Sequence, residues 1–236
     1  MNQTDHSPAA DRPLNIAIDG PVGAGKSSVS DEVARRLNIL HLDTGAMYRA
    51  AGLYALRQGV SLEDEQAVTA AVAQAQIAVR YQDGAQRTLL NGEDVTGLIR
   101  TPEVSDAASD VSKYPGVRTR LVEAQRALAR TMPMLVDGRD IGTVVLADAP
   151  VKVYLTASPE ARATRRMLQY EAEGQPQPFE KVLKAVNERD CQDMTRKTDP
   201  LRQAKDAVVV DSSDLTFEET VERILALVRA AENGEA

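Results

Sequence analysis

The sequence predicts an α/β fold, with a central parallel sheet flanked by helices, a small inserted module and a short lid. Three observations carry that prediction. Brief apolar runs alternate with helix-periodic segments, an order that feeds a parallel sheet covered on both faces. A glycine-rich turn joins the first apolar run to the first helical one. Between two helical stretches the pattern switches once to period two with tight-turn residues, which sets a hairpin inside the α/β frame.

Residues 1–12 are polar and read as a flexible tail. Leu14–Asp19 (LNIAID) is a buried strand, followed by a helix on which Val29, Val33 and Leu37 share one face. Ile39–Leu42 is a second strand, and Asp43-Thr44-Gly45 opens the next helix, with Thr44 expected as its cap. Residues 63–75 are helix-like. Ile77–Tyr81 and Arg87–Leu90 are the arms of the hairpin, turning at Gln82-Asp83-Gly84-Ala85 and leading to Asn91-Gly92. Helical patterns run from Pro102 to Arg130, with a break near Tyr114-Pro115-Gly116. Met134–Val136 and Val151–Thr156 are strands; Ser158-Pro159-Glu160 caps a helix. After a break at Gly174–Pro178 come a helix over Phe179–Arg196, a strand at Ala207–Asp211 and a closing helix from Thr216. The expected domains are a core of residues 13–62 and 105–236, a lid near 158–178, and an insert over 63–104; lid and insert are both expected to move when ligand binds.

The 236 residues suit one domain carrying an insertion. With 43% hydrophobic and 27% charged residues, a disordered or fibrous chain is excluded. No apolar run approaches the roughly 18 residues of a membrane span, and the opening MNQTDHSPAADR has no secretory pattern. Cys191 stands alone, so no internal disulfide forms, and a cytoplasmic setting is expected. The net charge of −7 argues against polymeric nucleic acid as a partner. No exposed apolar stripe is evident, and a monomer is expected. Yet 21 of the 28 basic residues are Arg, whose planar fork of donors matches phosphate.

Gly20-Pro21-Val22-Gly23-Ala24-Gly25-Lys26-Ser27 fits the phosphate-cradling pattern G-x-x-x-x-G-K-[ST]. The glycines let several backbone N–H groups converge on one anion, and the following helix adds its positive end. Lys26 would reach the β- and γ-phosphates, and the Ser27 hydroxyl would ligate Mg²⁺. That loop serves GTPases, motors and small kinases alike. No N-K-x-D segment for guanine is present, and the chain is short for a motor.

Asp43-Thr44-Gly45-Ala46-Met47-Tyr48-Arg49 and Asp137-Gly138-Arg139-Asp140 each follow a strand, at the sheet edge where open α/β folds bind ligands. Asp137 would hold Mg²⁺ through water and Arg139 would clamp a phosphate. Arg162, Arg165 and Arg166 recur at i, i+3 and i+4, a mutually repulsive set that a polyanion would relieve. Arg189, Asp193 and Arg196 share one face of the next helix. A hydroxyl acceptor calls for a general base, whereas a phosphate acceptor is already ionised and needs cations to offset the repulsion of two polyanions. Several arginines therefore favour a phosphate acceptor such as a nucleoside monophosphate.

GPVGAGKSS, LDTGAMYR, EDVTGLIRTPEVSDAAS, VDGRDIGTVVLADAPVKVYL and the NERD helix, in this order and spacing, resemble the bacterial cytidylate kinase family over about residues 14–230. The resemblance implies a P-loop kinase core with a monophosphate-binding insert and an arginine-bearing lid, and ATP-dependent phosphorylation of CMP and dCMP with Mg²⁺, in pyrimidine nucleotide metabolism. It implies that Gly20 to Ser28 hold ATP, and that Lys26, Arg139 and the lid arginines Arg162, Arg165 and Arg166 act in transfer. It further implies that Thr44, Arg49 and Arg139 hold the acceptor phosphate with Arg196 near it, that Ser109, Arg118 and Asp140 surround cytosine, and that Arg189 and Asp193 meet the pentose. A carboxylate at Asp140 suits the exocyclic amino group of cytosine. A P-loop kinase for UMP, AMP or shikimate, and a nucleotide-gated regulator, remain the alternatives.

Overall fold

The computed structural model describes residues 14–172 and 174–234, so the expected tail over residues 1–12 lies outside the described residues. Five parallel strands form the central sheet in the order β2-β6-β1-β7-β8, with β1 (Asn15–Asp19), β2 (Leu40–Asp43), β6 (Met134–Gly138), β7 (Val151–Thr156) and β8 (Val208–Asp211). Its inner strands are apolar at nearly every position because both faces are covered. Ala17, Met134 and Val136 face one core with Leu42, Met47, Leu121 and Ile141. Ile16, Ile18, Leu135, Val153 and Leu155 face the other, with Val29, Val33 and Val221.

Helices α1 (Lys26–Leu37) and α8 (Phe217–Glu232) cover that second face. Thr216 and Glu219 close α8 with a reciprocal capping box. Helices α2 (Thr44–Arg57) and α5 (Pro115–Ala129) cover the first, and α4 (Pro102–Val111) packs along α2. The cap of α2 is Asp43, whose carboxylate accepts from the Ala46 amide at 3.1 Å. Thr44 is the first helical residue, a correction to the expected cap; Asp and Thr both cap well, and the backbone leaves the extended region one residue earlier than expected.

The inserted segment holds α3 (Glu65–Gln74) and a separate antiparallel sheet, β3 (Ile77–Gln82), β4 (Ala85–Leu90) and a short β5 (Glu93–Asp94). The expected hairpin is thus a three-stranded meander. Asp83-Gly84 and Asn91-Gly92 both have positive φ at each residue, the tight-turn geometry those dipeptides favour. The meander is tied to the core. The Gln86 side chain accepts from the Asp43 amide at 2.8 Å and donates to the Asp43 carbonyl at 3.2 Å, and the Tyr81 hydroxyl donates to the His41 carbonyl.

Helices α6 (Pro159–Ala172) and α7 (Phe179–Thr195) pack on each other beside the glycine-rich loop. Ser158 caps α6 as expected. After β6 the chain makes one turn of π-helix, Ile141–Val145, which the sequence pattern did not announce. Asp19 explains it: its two carboxylate oxygens accept from the amides of Ile141 and Gly142 at 2.6 and 2.7 Å. The end of β1 thereby holds the loop that carries Arg139 and Asp140. Burial of Asp19, only partly offset by those amides, raises its pKa to about 6.

Candidate active site

The glycine-rich loop lies between β1 and α1, at the carboxyl ends of the parallel strands. A Cβ on Gly20 would sit 1.9 Å from the Leu155 carbonyl oxygen, so only glycine fits where the loop leaves β1. Gly25 precedes α1 at φ 85° and offers no side-chain cap. The first amides of α1 therefore lack an internal partner, which makes an anion seat of the helix end. Lys26 is buried and donates to the Pro21 carbonyl at 2.8 Å. Its pKa falls to about 7, through burial first and the Arg139 guanidinium second. Ser28 lies exposed on the same first turn.

Ser27 donates to Asp137 Oδ2 at 3.1 Å, bringing together the two expected Mg²⁺ residues. Behind them stands His41, which the sequence reading left without a role. Its Nε2 lies 3.0 Å from Asp137 Oδ1 and its Nδ1 2.6 Å from Asp31. Burial opposes its protonation, but the hydrogen bonds to the two carboxylates outweigh burial and raise its pKa to about 10. The same pairing, against burial, keeps Asp137 ionised. The hydroxyl and carboxylate at the helix end match what Mg²⁺ takes from a protein when nucleotide phosphates complete its shell.

The lid arginines sit against the loop but are not three free cations. Arg162 is buried; it donates to the Val22 and Ala157 carbonyls and pairs with Asp190 at 2.6 Å. Asp190 also accepts from the Val22 amide at 3.3 Å, so α7, α6 and the loop are pinned at one point. Arg165 binds Ser212 at the end of β8. Arg166 bonds the Tyr170 hydroxyl at 2.6 Å and lies over its ring. The repulsion expected along α6 is thus relieved from within the protein. Asp190 reads in sequence as a surface charge beside Arg189 and is in fact buried.

The residues expected to hold the acceptor converge from five elements. Arg49 pairs with Asp43 at 2.6 Å, and Thr44 donates to the Asp137 carbonyl at 2.8 Å. Arg139 pairs with Asp193 at 2.7 Å, while Arg189 approaches the same carboxylate at 3.4 Å. Those two arginines hold Asp193 ionised although it is buried. Arg118, almost fully buried, bonds Asp140 through one guanidinium nitrogen and Asp199 through Nε at 2.7 Å. Arg196 lies 3.5 Å from Asp140 and donates to the Asp199 carbonyl. Ser109 donates to Gln192 at 2.6 Å across a crevice of about 300 Å³ between α4 and α7, which Asp106 and Arg189 also line. Gln192 and Asp199 escaped the sequence reading; a Gln on a helix carries no signal, and Asp199-Pro200 reads as a plain turn.

Two buried polar groups here lack a hydrogen-bond partner among the described residues, Arg49 Nε and the Tyr48 hydroxyl, while Arg189 Nε has only its long 3.4 Å approach to Asp193. Unpartnered buried donors are costly and rare, and the Arg49 N–H is a guanidinium donor suited to an anion. A wider groove of about 970 Å³ lies between α3 and α5, lined by Glu63, Asp64 and Glu65 with no cation among its lining residues, whereas the smaller crevice holds Arg189 among its acids.

A parallel sheet with a P-loop at its carboxyl edge, beside a cluster of arginines drawn from α2, α5, α7 and the turn after β6, defines a phosphotransferase of the P-loop kinase class. The sequence profile of cytidylate kinase matches residues 16–230. A cytidylate kinase of Corynebacterium efficiens is 50% identical over 219 residues, covering 92% of this chain and 95% of its own. One from Caldicellulosiruptor bescii is 47% identical over 214 residues, covering 91% and 95%. Among solved structures, an uncharacterised protein of Eubacterium ventriosum shares the fold at TM-score 0.51 and 13% identity, over 93% of this chain and 99% of that one. The chain belongs to the cytidylate kinase family.

Proposed function

We propose that this protein transfers the γ-phosphoryl group of ATP to CMP and dCMP, giving ADP with CDP or dCDP. The observation that carries the reading is the cluster of five arginines, Arg49, Arg118, Arg139, Arg189 and Arg196, gathered next to a P-loop, with the buried Nε of Arg49 left without a hydrogen bond. ATP lies along Gly20–Ser28, its phosphates on the loop amides and Lys26. The acceptor phosphate lies between Thr44, Arg49 and Arg139, with Arg196 behind it. Its oxygen attacks the γ-phosphorus as the bond to the ADP oxygen breaks. The guanidiniums cancel the repulsion between the anions and the charge that spreads over the peripheral oxygens.

Ser109, Arg118 and Asp140 receive cytosine, and Arg189 with Asp193 the pentose. Of the lid residues, Arg166 is the one held only within its own helix, by Tyr170, and so the one to swing toward the transferring group, since Arg162 and Arg165 are tied to the loop and to Ser212. Ser27 and Asp137 would hold Mg²⁺ together with the nucleotide phosphates, and the ion would supply charge neutralisation. We further assign residues 63–104 as the monophosphate-binding insert and 158–178 as the lid, and a cytoplasmic monomer acting in pyrimidine nucleotide metabolism. No helix among the described residues is long and apolar enough to cross a membrane.

The test is a coupled assay with ATP·Mg²⁺ and each of the four ribonucleoside monophosphates. CMP should turn over fastest by a wide margin. Slow ATP hydrolysis unaffected by any monophosphate would instead mark a nucleotide-gated regulator.

A further inference from the structure

Asp199 stands apart in three ways. Its backbone is left-handed, at φ 46°, a conformation that Asp tolerates better than most residues. Its carboxylate accepts from Arg118 Nε at 2.7 Å, and its carbonyl accepts from Arg196 Nε at 2.8 Å. It lies at the end of an exposed turn, yet it grips both arginines that flank the buried Asp140. Arg118, Asp140 and Arg196 are linked through side chains, and Asp199 closes the ring with its carboxylate on Arg118 and its backbone carbonyl on Arg196, so two cations stand with two anions, which suits an uncharged base. The neighbouring set, Arg139 and Arg189 on the single carboxylate of Asp193, keeps a positive excess suited to phosphate.

The ring has a further asymmetry. Arg118 reaches Asp140 with Nη2 alone, onto Oδ2, because its Nε is committed to Asp199 and its Nη1 turns to the Ser112 carbonyl at 3.4 Å. Arg196 is drawn to the Asp199 carbonyl and stays 3.5 Å from Asp140 Oδ1. That oxygen is left without a short hydrogen bond, ready to accept from a ligand. Free of Asp199, the Arg118 fork would close on both oxygens of Asp140, the stronger bidentate arrangement, and the acceptor would be covered.

We propose that Asp199 is a positioning residue for acceptor-base selection: it holds Arg118 to a single bond with Asp140 and so keeps one carboxylate oxygen open for the exocyclic amino group of cytosine. This rests on the reading that Asp140 faces that amino group. Uracil carries a carbonyl at the same place and gains nothing from an open carboxylate oxygen. Asp199 therefore separates CMP from UMP without touching either.

The experiment compares Asp199→Gly and Asp199→Asn with the parent enzyme and with Asp140→Asn, measuring kcat and KM for CMP, UMP and ATP. Glycine accepts φ 46° and removes the side chain; Asn keeps the turn and removes the charge, and serves if the glycine variant unfolds. Both should raise the KM for CMP about tenfold, lower the CMP-to-UMP ratio of kcat/KM to match, and leave the KM for ATP in place. A role confined to the turn would move the melting temperature and not that ratio. If Asp140→Asn abolishes the preference while both Asp199 variants keep it, the inference is overturned and the pocket assignment stands. If Asp140→Asn keeps the preference as well, the pocket assignment itself fails and takes the inference with it.

Discussion

The two halves of the site are built by different means. The expected donor seat is one contiguous stretch, Gly20–Ser28, running from the loop after β1 into the first turn of α1, and its groups are backbone amides, Lys26 and the Ser27 hydroxyl. The acceptor pocket draws side chains from α2, α4, α5, the turn after β6, and α7 with the segment behind it. There five guanidiniums, of Arg49, Arg118, Arg139, Arg189 and Arg196, face four carboxylates, of Asp43, Asp140, Asp193 and Asp199. The donor seat leaves its positive ends open, at a cost visible in the lowered pKa of Lys26. The expected acceptor pocket pairs most of its charge within the protein and keeps one cation in excess until a ligand arrives. The first device sacrifices stability for a ready anion site; the second builds stability out of the same side chains that will bind.

That contrast predicts opposite responses to losing one cation. Arg118→Met leaves Asp140 and Asp199 without their main partner, one of them buried. Breaking a buried pair from one side costs roughly 3–5 kcal/mol, so the urea midpoint should drop far below the parent's. An unchanged midpoint would break the comparison. Lys26→Met should do the reverse. It lowers kcat by about 10²–10³, the usual cost of losing one preorganised charge at a transferring group, while the urea midpoint at pH 7.5 stays level or rises, because a buried ammonium has been removed. A large loss of stability in Lys26→Met would show that the loop depends on its lysine for structure.

The same contrast decides what could be read in advance. The P-loop was legible because its chemistry is local: glycines, lysine and hydroxyl at fixed offsets, framed by an apolar strand and an amphipathic helix. The Asp83-Gly84 turn was legible for the same reason. The short third strand was missed because Glu93 and Asp94 carry no apolar signal and pair only through the turn before them. The π-helical turn was missed because it is fixed by Asp19, 122 residues away from Ile141. The acceptor pocket follows that second pattern. Ser109 meets Gln192 across 83 residues, Arg118 meets Asp199 across 81, and His41 meets Asp137 across 96. Family resemblance supplied Ser109 and Arg118 as candidates, and periodicity placed Arg189, Asp193 and Arg196 on one helix face. Neither could tell that Arg162 and Arg165 already have partners within the fold, or that Asp190 is buried against the loop.

The last predicted effect is the most particular to this site. His41 and Lys26 flank the same carboxylate, Asp137, and their pKa values move in opposite directions. His41 is raised to about 10 in the folded chain, against an ordinary value near 6.5. Between those values the native state keeps a proton that the unfolded chain has lost, so the histidine's contribution fades as pH rises. Lys26 is lowered to about 7 from an ordinary 10.5. There the unfolded chain holds the extra proton, and stability climbs with pH. Each slope is at most about 1.4 kcal/mol per pH unit, and over pH 7 to 10 the two oppose each other. The parent protein should therefore show a nearly level unfolding free energy across that range. His41→Gln should tilt it upward with pH, Lys26→Met should tilt it downward, and the double variant should be level again. Urea titrations at half-unit steps resolve this. Two single variants as flat as the parent would mean that neither group carries the shifted proton, and that Asp137 owes its ionised state to something else.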